Sequence, residues 1–245
     1  MLKKLAPLSL VFAAMGAQAD TIGLHAGLGM WQPDLSGNFS SGSATNFDIE
    51  KDLGYSDTTA NTFYVAVEHP IPVVPNLRIE NTSLSENSSG SITGTFNGQA
   101  YNGSVKSTVD LSHTDFTAYY EFLDGLAWLN LDAGLTIRQL NGEITIDSNS
   151  LDIDTPVPLF YGKAAVDLPF APFPVSAGAL VNYLSVGGVT VSDQRFYIAA
   201  AAPLAVVDLG AEVGYRNFGI ELDDVGDLNA DITASGLYAS ATVHF

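Results

Sequence analysis

The residues able to do chemistry fall into one pattern. Of nine Lys and Arg, Lys3 and Lys4 belong to the first few residues, which leaves seven against 27 acids. Five of those seven, Arg78, Arg138, Lys163, Arg195 and Arg216, share their two-residue parity with Glu80, Asp115, Glu121, Asp132, Asp167, Asp208 and Glu212. Opposite charges on one face, confined together, make ion pairs, because an unpaired buried charge is costly. The one constellation with a catalytic flavour is Ser112, His113 and Asp115. A serine nucleophile needs a histidine within reach and an acid on the other ring nitrogen. His113 and Asp115 share a face, but Ser112 has the opposite parity and points away. His25 lies among Gly23, Gly27 and Gly29, and His69 and His244 lie at strand ends. The chain is therefore expected to be no enzyme, with no catalytic residue, no cofactor and no metal-ligand set.

Those side chains need elements to hold them, and the elements read as strands. Residues 127–138 alternate strictly. Ala127, Leu129, Leu131, Ala133, Leu135 and Ile137 form one row, and Asn130, Asp132, Thr136 and Arg138 dominate the other. That period of two puts apolar and polar rows on opposite faces of a strand. Twelve residues are about enough to cross a bilayer at a steep tilt. The alternation breaks at Gln139-Leu140, read as a bulge or as the outer end of the membrane crossing.

Composition agrees. The chain is 47% apolar but only 15% charged, less charge than a soluble surface usually carries. No run of 18 apolar residues exists, so no spanning helix is available. A barrel whose outer face meets lipid satisfies both facts. The strong acidity argues against nucleic acid as a partner, since phosphate contacts need clustered Lys and Arg. There is no cysteine, hence no disulfide.

The ends fit the same reading. Lys3 and Lys4, an apolar stretch and Ala17-Gln18-Ala19 predict a signal peptide over 1–19 and a single barrel domain over 20–245. The last strand alternates through Leu237, Ala239, Ala241 and Val243 to Phe245, as expected of a signal read by outer-membrane assembly machinery.

Short turns alternate with longer polar stretches. Pro70–Pro75, Asp124-Gly125, Pro169–Pro174 and Pro203-Leu204 read as inner turns. Residues 32–60, 85–107, 147–155, 186–192 and 222–229 read as outer loops. Four turns and five loops predict one all-β, antiparallel transmembrane barrel of ten strands, with eight as the alternative, in the outer membrane of a Gram-negative bacterium. Asp124-Gly125 as a two-residue turn sets Glu121 opposite Trp128 and Thr117 opposite Asp132. Pro203-Leu204 read likewise sets Arg195 opposite Glu212 and Ile198 opposite Leu209.

The loops are acidic: Asp48, Glu50 and Asp52; Asp147, Asp152 and Asp154; Glu221, Asp223, Asp224 and Asp227. Oxygen clusters can hold Ca²⁺ or Mg²⁺, but none has EF-hand spacing. They read either as a solvated negative rim or as sites where divalent cations bridge to lipopolysaccharide phosphates. Outer-membrane lipid and lipopolysaccharide are the expected surroundings.

Residues 112–125 (SHTDFTAYYEFLDG), 129–136 (LNLDAGLT), Asp52-Leu53-Gly54 and Phe245 resemble a family of small proteobacterial outer-membrane β-barrel proteins of unknown function. The resemblance implies a barrel and an outer-membrane address, and it transfers no functional residue. Three uses of such a barrel stay open. They are a structural or interaction role with a salt-bridged lumen, a narrow porin-like channel for ions or small solutes, and an enzyme acting on lipid or peptide.

Overall fold

The computed structural model describes residues 22–41, 45–123, 128–169, 173–204, 207–225 and 228–245. The expected signal peptide, the Asp124-Gly125 turn, Phe170 to Pro172 and Asp227 lie outside the described residues. The strands, in chain order, are β1 (Gly23–Ser41), β2 (Phe47–Asp48), β3 (Ala60–Glu68), β4 (Asn76–Ser83), β5 (Ser85–Phe96), β6 (Gln99–Asp110), β7 (His113–Glu121) and β8 (Leu129–Leu140). They continue with β9 (Gly142–Ile146), β10 (Asn149–Ile153), β11 (Pro156–Asp167), β12 (Val175–Val186), β13 (Val189–Pro203), β14 (Asp208–Val225) and β15 (Leu228–His244).

Ten of them form the barrel in the antiparallel order β1-β3-β4-β7-β8-β11-β12-β13-β14-β15, and β15 pairs back onto β1. Phe245 completes the seam by exchanging backbone hydrogen bonds with Leu24. Closure leaves no free edge among these ten strands, which is what lipid demands of a sheet. The outward rows are aliphatic and bare: Leu28, Leu135, Phe160, Phe196 and Leu237 are 57–68% exposed. No second sheet covers them among the described residues, so this band is the lipid-facing belt of an outer-membrane barrel.

The strand ends Glu68 and Asn76, Glu121 and Leu129, Asp167 and Val175, and Pro203 and Asp208, which flank the four short connections, share one end of the barrel with both strand termini of the seam. By the rule that inner turns are the short ones, this is the periplasmic end.

The faces match the alternation, but two registers do not match the expected turns. Glu121 pairs with Asp132 and Thr117 with Thr136. Arg195 pairs with Arg216 and Ile198 with Val213. Both hairpins are offset by four residues, because each connection is longer than a two-residue turn; Pro203 faces Asp208. An even offset keeps every side chain on its face while changing its partner.

Much of the expected outer-loop sequence is strand; the exception is 49–59, a connection that meets β1 through the isolated Asp34–Asp57 bridge. Residues 85–110 form the β5–β6 hairpin, turning at Asn97-Gly98 with φ of 44° and 78°, the double positive φ of a tight hairpin turn. With β9 and β10 it makes a four-stranded sheet ordered β10-β9-β6-β5. Asn97 and Asn149 side chains tie the hairpin tip to β10. The stretches near 186–192 and 222–229 are the ends of long strands, with β12 turning into β13 at Gly187-Gly188. At Gln139-Leu140 there is no bulge, since β8 stays in register with both neighbours; the change there marks the outer limit of the belt.

Above that limit the strands invert. On β1 the inward row runs His25, Gly27, Gly29 and then Trp31, Leu35 and Phe39, while the outward row runs Leu24, Leu28, Met30 and then Gln32, Asp34 and Asn38. On β14 inward Glu212, Gly214 and Arg216 give way to Phe218, Ile220 and Leu222. These long strands, and β15 with buried Leu228, Ala230 and Ile232 above exposed Leu237, are thus apolar-out in the membrane and apolar-in beyond it. The inward apolar rows meet Phe47, Leu53, Phe96, Val109 and Ile144 in one buried core, forming a folded cap on the outer end.

Candidate functional site

Directly beneath the cap core lies a layer of buried charge. Arg138 donates from Nε and Nη2 to the two oxygens of Asp115, each at 2.7 Å, and from Nη2 to Asp193 at 2.7 Å. Arg216 donates to the same Asp193 from Nε at 2.9 Å and Nη2 at 2.7 Å. Its Nη1 reaches the Thr82 hydroxyl at 3.1 Å. Arg195 pairs with Glu80 across the lumen and stands 4.0 Å from Asp193. Arg78 binds the other Glu80 oxygen and stacks 3.7 Å over the Tyr64 ring. Arg138, Asp193 and Arg216 are 0–1% exposed. The guanidinium carbons of Arg138 and Arg216 lie over Phe218 and Trp31 respectively. Bidentate, charge-assisted geometry is what makes so much buried charge tolerable.

All five expected basic residues do point inward. Lys163 pairs with Asp132 at 3.0 Å nearer the periplasm. Glu121 and Asp132 line the same lumen. Two assignments need correction. Glu212 does not pair with Arg195; it accepts the Tyr238 hydroxyl at 2.5 Å, and Arg195 goes to Glu80. Asp208 is a rim residue, half exposed and 3.8 Å from His244. Asp193, the centre of the layer, was not among the expected residues. It shares the parity of Arg195 two positions on, but reading 186–192 as a loop leaves it at the very edge of the predicted strand.

His113 is buried in this layer. Its Nδ1 lies 2.8 Å from the Leu111 carbonyl and its Nε2 3.2 Å from Arg216 Nη2. That pattern requires the proton on Nδ1, with Nε2 accepting. The Ser112 hydroxyl instead accepts the Leu84 amide at 3.1 Å on the other side of the strand. His113, Asp115 and Asp193 bring donor atoms within 4.8 Å of one another, as a metal site would. Arg138 and Arg216 are hydrogen-bonded to all three, and supply the positive charge that a metal would otherwise bring.

Below the charge layer the lumen opens into a chamber of about 420 Å³. Trp31 and Arg216 form its roof, and His25 and His244, stacked at 4.0 Å, flank its mouth. The chamber exists because tyrosines lean across glycines on neighbouring strands: Tyr64 over Gly27, Tyr197 over Gly178 and Tyr238 over Gly214. Tyr119 and Tyr161 flank Gly134 from both sides with ring centroids 5.6 Å apart.

Several acids of the outer stretches build turns. Asp48 accepts the amides of Glu50 and Lys51 and the Lys51 ammonium. Lys51 holds its carboxyl below the ordinary range. Asp147 accepts the Lys106 amide, and Asp154 the Gln139 side chain.

No family model and no curated protein matches the chain. Solved structures with similar folds include the translocator domain of the autotransporter NalP from Neisseria meningitidis, with 10% identity and a TM-score of 0.44, covering 98% of this chain and 93% of that chain. The transport unit of the autotransporter AIDA-I from Escherichia coli gives 10% and 0.41, with 97% and 95% covered. The toluene transporter TodX from P. putida gives 10% and 0.34, with 95% and 92% covered. These likenesses are loose, and the strand order stands on the pairing described above. The chain is an outer-membrane-type β-barrel of ten strands with a folded outer cap.

Proposed function

We propose that this barrel has a structural or interaction role, without catalysis, and that it carries its acidic cap on a lumen closed by ion pairs. One observation carries the reading: a buried apolar core stacked on a buried Asp115–Arg138–Asp193–Arg216 layer. A solute crossing the lumen would have to break that layer and then part the cap. The absence of catalysis is supported by His113, whose ring nitrogens are engaged by Leu111 and Arg216 rather than by a nucleophile. In this reading the chain sits with the small proteobacterial barrels that its central hairpin resembles. Outer-membrane lipid and lipopolysaccharide surround it, divalent cations bridge its acidic outer face to lipopolysaccharide phosphates, and assembly machinery reads Leu237, Val243 and Phe245.

The test is single-channel recording on refolded protein in planar bilayers. Wild type should be silent, and Arg138→Ala, which opens the layer, should give at most brief flickers. Steady wild-type conductance that Arg138→Ala or Arg195→Ala alters would overturn the reading in favour of a narrow channel.

A further inference from the structure

The chamber below the charge layer has the chemistry of a binding site, and we propose that it takes a small organic cation, an amine or quaternary ammonium, from the periplasmic side. The proposal does not depend on whether the barrel conducts. Its volume, about 420 Å³, lies in the range of small-molecule sites. It is roofed by Trp31, which is fully buried, and its mouth is half exposed at His244.

Three features select a cation. First, the walls are aromatic. Tyr197 and Tyr238 stand on the strands flanking Gly214, both directly opposite it. A ring face attracts positive charge, and the barrel interior already uses this three times, with Arg78 over Tyr64 at 3.7 Å, Arg216 over Trp31 at 4.6 Å and Arg138 over Phe218 at 5.0 Å. Second, Glu212 is the next inward residue from Gly214 toward the mouth. Its carboxylate accepts the Tyr238 hydroxyl, a neutral donor. Glu68 likewise takes the Tyr119 hydroxyl at 2.7 Å and His25 at 2.8 Å. Third, the fixed cations are committed elsewhere: Lys163 to Asp132, Arg78 and Arg195 to Glu80, Arg216 to Asp193. A carboxylate one inward step below a pair of tyrosines, in a chamber where bulk water screens it less than at the surface, is an arrangement that holds an ammonium group.

Isothermal titration on the full barrel refolded in detergent tests this, with tetramethylammonium and putrescine as probes. Tert-butanol and acetate serve as neutral and anionic counterparts. The expected result is saturable binding of the amines, about tenfold or more tighter than their counterparts, a difference of about 1.4 kcal/mol. Glu212→Gln should weaken the amines about tenfold while leaving tert-butanol unchanged. Thr242→Trp, which fills the mouth from β15, should abolish binding and provides a second route if Glu212→Gln does not fold. Absence of saturable amine binding by folded wild type, equal binding of the neutral probe, or undiminished binding by folded Glu212→Gln or Thr242→Trp would each overturn the proposal.

Discussion

Asp193 carries more of the lumen's electrostatics than its neighbours do. Three guanidinium groups lie within 4.0 Å of its carboxylate. Arg195 and Arg216 face each other directly on adjacent strands, a like-charge pairing that is destabilising on its own. Asp193 and Glu80 make it tolerable. A double-mutant cycle on Arg195→Ala and Glu80→Ala, read by urea unfolding in detergent, should therefore show coupling of about 0.5–3 kcal/mol. The same cycle on Arg195→Ala and Glu212→Ala should show much less, because Glu212 spends its hydrogen bond on Tyr238. Equal coupling in the two cycles would refute the pairing. At this scale, parity made the inward charges legible, since the side-chain period of a strand is two wherever it pairs. The partners were not legible. Glu80 and Arg195 are 115 residues apart and meet across the lumen, a contact that no strand-neighbour rule encodes.

At the scale of elements, the alternation of β8 and β7 located two staves and their faces correctly, yet their register was misplaced by four residues. Parity is local to a strand, whereas register depends on the length of the connection, and an even error leaves no trace in the pattern. The cap was harder to read. In β5 and β6 the core-facing residues Ile92, Phe96, Tyr101, Val105 and Val109 are separated mainly by Gly, Ser, Thr and Asn, so the stretch has the composition of a loop. The Asn97-Gly98 pair was the readable sign of a hairpin. The cap also has a titration of its own. Tyr55 is buried in its core, and burial pushes its phenol up to about 12. A phenol whose pKa is raised by folding stabilises fully below its unfolded value near 10 and loses that contribution as pH rises toward 12. Cap proteolysis should thus stay constant to about pH 10 and then accelerate, and Tyr55→Phe should shift that onset upward. An identical profile in Tyr55→Phe would assign the effect to other groups.

At the scale of the whole molecule, the inversion of faces predicts how the barrel tolerates charge. Leu28 faces lipid at 65% exposure, and Gln32 stands just past the change of face on the same outward row. Leu28→Lys should cost about 2–4 kcal/mol in lipid, while Gln32→Lys should cost about 0–1 kcal/mol. Unfolding titrations in bilayers of one thickness compare them directly, and equal penalties would contradict the boundary. The ten-strand count was legible because four short turn signals, three of them carrying proline, alternate with longer polar stretches. The enclosed outer end was not, because it depends on which face becomes apolar above the belt. That change of face gives the molecule a waterline. One residue pair is about 7 Å along a strand. A rise of one pair would lift aliphatic side chains out of the lipid around the circumference, and a fall of one pair would submerge Gln32 and its counterparts. Bobbing and tilting are resisted alike, as a ship is held at its draught. The acidic cap therefore stands upright at a set height, a pedestal whose elevation is written into the strands that build it.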